Sequence, residues 1–295
     1  MKLTVIAPCV LLEALGRMVP GASNRTLRQI LSTGRVLVNG SPCKKGAWPL
    51  SSGDQVHITS RRAAPAGLGG IEIVHEDDDL FVILKPAGLL TVSTEHETRR
   101  TALAVLRQQV QQQDKRGRIF VVHRLDKFVS GLLVFARSEP IREGLRAQFM
   151  KHDIVRKYWA AVEGTVRQSR GTIESYLAEN KSLRMRSVTD SSQGKRAVTH
   201  YRVLERRRDV TILEITLETG RKNQIRVHLS EMGHPIVGDR AYGSRTDPLK
   251  RIALHAFCLG FTHPRTRRPI LFESDPPAEL ARYFSGLAPV GSHTV

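Results

Sequence analysis

The sequence predicts an α+β protein: a mixed, mostly antiparallel β-sheet with flanking helices, preceded by a small α/β-type unit. Three observations carry this. Strand-like apolar runs outnumber helical ones beyond residue 70 and do not alternate strictly with them, which disfavours a doubly wound parallel sheet. A Gly/Ala/Pro-rich stretch, 63–70, has linker composition and no periodicity. The chain of 295 residues is 40% hydrophobic, enough for one sizeable core and a small satellite. The expected organisation is therefore 1–62 as the small unit, 63–70 as linker and 71–285 as the main domain.

In the small unit, Leu11, Leu12, Leu15 and Met18 recur at helical spacing. Ser23 reads as the N-cap of a second helix whose apolar face is Leu27, Ile30 and Leu31, ended by Gly34. Val36-Leu37-Val38 is a short strand closed by an Asn39-Gly40 turn, and Gln55-Val56-His57-Ile58 a second strand entered through Gly53-Asp54. In the main domain, strands are expected over 80–84, 119–122, 132–135, 158–162 and 210–217. Helices are expected over 101–112 and 140–150, the first ending in the glutamine-rich patch 108–113.

Forty-six Lys+Arg against 28 Asp+Glu leave +18 at pH 7, so a polyanion, and nucleic acid first, is the expected partner. Residues 1–62 hold nine basic residues against two acidic ones, a net +7, and make Arg25, Arg28, Arg35 and Lys44 candidate phosphate contacts. No segment reaches the ~20 apolar residues of a membrane span. The apolar start is interrupted by Pro8 and ended by Glu13, unlike an export signal. Three scattered cysteines and eleven histidines without ligand spacing point to a reducing, cytoplasmic setting and no metal site.

Three motifs carry candidate chemistry. His123-Arg124-Leu125-Asp126 precedes the strand 132–136, so a turn presents the carboxylate at the sheet rim; loop closure by an Asp–Arg pair is the structural alternative. In the stretch 220–229, Ile225, Leu229 and Met232 form one helical face, while Asn223 and Arg226, three apart, share another. That second face suits a carboxylate or a phosphate, or else merely solvent. Tyr158 and Trp159, adjacent on a strand, point to opposite sides, so one can face a cleft while the other packs.

Taken together and in order, these segments resemble the RluA-like RNA pseudouridine synthases over residues 71–277. The matching stretches are IVHEDDDLFVILKPAGLLTV from Ile71, VVHRLDKFVSGLLVFARS from Val121, RKYWAAVEG from Arg156 and KRAVTHY from Lys195. They continue with LETGRKNQIRVHLSEMGHPIVGDRAYG from Leu217 and RIALHAFCLGFTHPRTRRPILFE from Arg251. Residues 8–59 resemble the alpha-L RNA-binding module of some ribosomal proteins, through SNRTLRQILSTGRVLVNG.

The resemblance implies conversion of uridine in RNA to pseudouridine, without metal or organic cofactor. It puts the essential aspartate on Asp126, its basic partner on Arg226 and an active-site tyrosine on Tyr158. Arg124 would fill the space left by the flipped base. Lys85 would shape the cleft floor or hold a phosphate, and His123, Arg221 and Asn223 would contact RNA. Large-subunit ribosomal RNA is the implied substrate, with transfer RNA as alternative, and the protein is expected to be a monomer without membrane association. Phe128-Val129, Leu84 and Asn223 depart from the family's usual residues, which bears on target choice more than on chemistry. Two readings from other classes remain: a catalytically silent RNA-binding or ribosome-assembly factor, and a phosphodiesterase using His123 and His228 as an acid–base pair.

Overall fold

The computed structural model describes residues 2–32, 36–39, 41–58, 70–95, 97–284 and 287. Gly34, Arg35, Gly40 and 63–69 of the expected linker lie outside them. The chain divides into two compact units, 1–76 and 77–295.

The first unit runs β1 (Lys2–Thr4), β2 (Cys9–Val10), α1 (Leu11–Met18), α2 (Asn24–Ser32), β3 (Val36–Val38), β4 (Ser41–Pro42), β5 (Pro49–Leu50), β6 (Gln55–Ile58) and β7 (Glu72–Glu76). The strands β1-β6-β3-β4 form an antiparallel sheet, and β2 pairs with β5. Leu11, Leu15, Leu27 and Leu31 from the helices pack on Val36, Val56 and Ile58. The Ser23 hydroxyl accepts from the Thr26 N–H at 3.2 Å, the expected cap. Arg25, Arg28 and Lys44 stay exposed.

The second unit contains β8 (Leu80–Lys85), α3 (Ala102–Gln113), β9 (Phe120–Val121), β10 (Ser130–Ala136), α4 (Glu139–Lys151), β11 (Val155–Glu163), β12 (Arg170–Glu179), β13 (Met185–Val188), β14 (Lys195–Arg206), β15 (Val210–Leu217), α5 (Gln224–Glu231), β16 (Leu254–Thr262), β17 (Pro269–Glu273) and α6 (Ala281–Phe284). Its strand order is β13-β12-β14-β15-β11-β16-β10-β8, with β17 on β16 and β9 on β10. Of the pairings in this order, β10 with β16 is parallel and the rest are antiparallel, the mixed sheet expected. The residues of β10 are all buried, and Trp159 of β11 stacks on Phe257 of β16 at 4.1 Å between ring centroids.

The register positions the site. Ala256 of β16 pairs with Gly131 of β10 on one side and with Tyr158 of β11 on the other. The turn before β10, which carries Asp126, and the wall of β11, which carries Tyr158, are thereby brought to one rim. Gly131 is required there: its φ is +135°, and a Cβ would stand 2.3 Å from the Ala256 carbonyl oxygen. We expect Gly131→Ala to destabilise the protein by about 2–4 kcal/mol in urea unfolding, because backbone strain and overpacking add.

Candidate active site

Asp126 sits in the turn between β9 and β10, and the turn is held from beneath. The Thr91 hydroxyl donates to the Leu125 carbonyl at 2.8 Å and accepts from the Leu125 N–H at 3.1 Å. The Gly88 N–H, at φ +85°, donates to the Lys127 carbonyl at 2.8 Å. Lys85 is fully buried and donates to the carbonyls of Pro86 and Leu89, each at 2.8 Å, and of Lys127 at 3.3 Å. Lys85 therefore uses its donors on backbone and supports the Asp126 turn. Phosphate contact, one of the two roles expected of it, is not available to a side chain enclosed in this way. Burial pushes its amine down to about 7.

The turn borders a cavity of about 580 Å³ lined by Arg124, Asp126, Phe149, Arg156, Tyr158, Arg221, Asn223 and Arg226, among others. The Asp126 side chain is 21% exposed and lies 3.9 Å from the Arg226 guanidinium. Burial raises its carboxyl above the ordinary value, opposed by the charges of Arg226, Arg124 and Lys85. Tyr158 is 7% exposed, and burial raises its phenol too, so the ring is neutral at physiological pH. Arg124 is exposed at the rim.

Arg226 makes its strongest contacts elsewhere. Its Nε donates to Asp239 Oδ2 at 2.7 Å and its Nη2 to Asp239 Oδ1 at 2.8 Å, a bidentate pair around a carboxylate whose side chain is 1% exposed. The Nη1 group donates to Asn223 Oδ1 at 2.9 Å, the same-face contact their spacing predicts, and is the nitrogen that faces Asp126. Asn223 itself holds a left-handed φ of +52° at the head of α5 and donates to the Tyr242 hydroxyl at 3.1 Å. Asp239 and Tyr242 are site residues that motif reading missed. Both lie in the GDRAY stretch after α5, where no periodicity marks them.

Two histidines are held by the fold. His123 lines the cavity, but its Nε2 accepts from the Val134 N–H at 3.2 Å, and burial pushes the ring down to about 3. His228 is wholly buried on α5, with Nδ1 against the Thr199 hydroxyl at 2.9 Å and Nε2 against Ser175 at 3.0 Å. The acid–base pair of the phosphodiesterase reading thus does not form, since both His228 nitrogens are engaged away from the cavity. Arg221 does line the cavity, with its Nε donating to the Arg196 carbonyl at 3.0 Å.

Comparison with known proteins decides the family. The RNA pseudouridylate synthase family matches residues 79–231, and the S4 domain matches residues 14–56. This chain belongs to the RNA pseudouridine synthases. It is 37% identical over 276 residues to an uncharacterized RNA pseudouridine synthase of Bacillus subtilis, covering 90% of this chain and 89% of that protein. It is 34% identical over 295 residues to ribosomal large subunit pseudouridine synthase D of Zymomonas mobilis, covering 93% and 92%. The structure of human RNA pseudouridylate synthase domain containing 4 superposes with a TM-score of 0.61 at 25% identity, over 72% of this chain and 91% of that one.

The synthase fold seats Asp239 under Arg226, and removing that carboxylate leaves a largely buried guanidinium without its bidentate partner. Asp239→Ala is expected to cost about 3–5 kcal/mol in chemical denaturation, whereas substitution of an exposed carboxylate such as Glu143 changes stability by less than about 0.5 kcal/mol.

Proposed function

We propose that this synthase converts uridine to pseudouridine in structured RNA, specifically large-subunit ribosomal RNA, with Asp126 as the essential carboxylate. The observation that carries the reading is a partly accessible carboxylate opposite a fixed guanidinium 3.9 Å away, on the cavity that Tyr158 also lines. In the reaction the base leaves its ribose, turns and rejoins through carbon 5. An ionised Asp126 serves equally as nucleophile toward the base or the anomeric carbon, or as base toward a sugar proton. Arg226 keeps it charged and aimed, because a nearby cation offsets the cost of partial burial.

Tyr158 supplies a ring beneath the uracil, and its neutral phenol relays the proton leaving carbon 5 by accepting on oxygen while donating its own hydrogen. Arg124, exposed at the rim, braces the stack that the target base vacates. The unit spanning 1–62 adds phosphate contacts through Arg25, Arg28 and Lys44, and through Arg35. The ribosomal substrate is supported by relatives named for the large ribosomal subunit that match 93%, 91% and 85% of this chain. Action in the cytoplasm accords with the free thiols of Cys9, Cys43 and Cys258, and the protein is proposed to act as a monomer.

Asp126→Asn is expected to reduce tritium release from carbon-5-tritiated large-subunit ribosomal RNA by at least about 10⁴-fold, while RNA affinity and the circular dichroism spectrum stay unchanged. Release from transfer RNA alone would keep the chemistry and overturn the substrate. A folded Asp126→Asn protein with near-normal release would overturn the assignment of the carboxylate.

A further inference from the structure

The cavity wall holds a buried cation that the proposed chemistry does not use. Arg156 lies two residues before Tyr158 on β11, hence on the same side of the strand, and it is 8% exposed. No carboxylate pairs with it among the described residues. Its hydrogen bonds run from Nη2 alone, to the carbonyls of Leu217 at 3.4 Å and Glu218 at 3.1 Å, and its buried Nε has no partner. The guanidinium lies over the Phe149 ring at 5.2 Å. Its Nη1 is turned to Gly220, where a Cβ would stand only 2.6 Å away, so the glycine keeps that nitrogen uncovered on the cavity wall. The other lysine and arginines of the cavity differ: Arg226 is committed to Asp239, Arg221 donates to a backbone carbonyl, Lys222 pairs with Glu179, and Arg124 and Arg146 are exposed.

A buried guanidinium without a counter-ion is costly, and an anion entering the cavity relieves that cost. We propose that Arg156 is the phosphate-binding residue of the active site, its Nη1 donating to a backbone phosphate of the RNA strand whose uridine occupies the cavity. This rests on the reading of the cavity as the uridine site. The Nη1 group, with no protein acceptor of its own among the described residues, suits a phosphate oxygen, Phe149 lies against the guanidinium, and neutral His123 beside it leaves the positive charge to Arg156. Gly220 is then a specificity feature, since its missing side chain is the opening through which the phosphate approaches.

The test uses the full chain and large-subunit ribosomal RNA transcribed with carbon-5-tritiated uridine, comparing wild type, Arg156→Gln and Gly220→Ala under single turnover and in filter binding at several salt concentrations. Arg156→Gln is expected to raise the half-saturating RNA concentration at least tenfold with less than a threefold change in the saturated rate. The slope of log affinity against log salt should become shallower by about 0.7, the loss of one single-strand phosphate contact. Gly220→Ala, which keeps the charge but covers Nη1, is expected to raise half-saturation as well, and carries the test if Arg156→Gln is poorly folded. Unchanged half-saturation and salt slope in both folded variants would overturn the proposal, as would a loss confined to the saturated rate. Absence of tritium release by wild type would instead count against the functional reading, and the salt slope from binding would still decide Arg156.

Discussion

The site depends on one buried ion pair. The Arg226 guanidinium grips Asp239 through two parallel hydrogen bonds, and that grip fixes the direction of its remaining nitrogen. A flexible arginine facing Asp126 alone would neutralise the carboxylate in direct contact and block the base. Held by Asp239 and Asn223, it stands 3.9 Å away instead, close enough to favour the charged carboxylate while leaving it open to the cavity. The same pair ties α5 to the GDRAY segment, and Tyr242 of that segment stacks on Arg226 with its ring centroid 4.7 Å away. The geometry of the carboxylate is thus set by a residue that does not face it.

A second constraint acts from the opposite side. The Asp126 turn has no regular backbone pairing of its own, so its polar groups need partners, and Lys85, Gly88 and Thr91 supply them. The KPAG segment is a backbone cradle rather than a substrate contact. Parallel pairing of β10 with β16 through Gly131 then sets the turn beside β11 and Tyr158. Rigid strands, a pinned turn and a clamped helix each contribute one wall, which suits a reaction that must hold a flipped base in one orientation.

Much of this was legible in the sequence where pattern and physics coincide. The rim position of Asp126, the opposed facing of Tyr158 and Trp159 and the shared face of Asn223 and Arg226 all follow from strand and helix periods. Asp239 was not legible, because its pairing with Arg226 depends on a loop returning across α5, thirteen residues downstream. The interior histidine of α5 misled for a related reason: helical spacing gives the face of His228 but not that Thr199 and Ser175 wait there. The strand β16 also gave no alternation to read, since its residues up to Phe261 are buried on both faces. Arg156 shows the converse case, a residue visible in the motif whose lack of a counter-ion emerges only once its surroundings are placed.

For the proposed reaction a single carboxylate, raised by burial and lowered by the clamped Arg226, must be ionised. The most direct measurement is the single-turnover rate of tritium release as a function of pH, from about pH 4.5 to 8, for wild type and Arg226→Gln. Activity is lost as pH falls through the Asp126 pKa, so the acid limb should lie above the ordinary carboxyl value of 3.8. It should move to still higher pH in the variant, where the largest stabilising charge is gone. An acid limb at or below the ordinary value, or one that does not move when Arg226 is replaced, would contradict the claim.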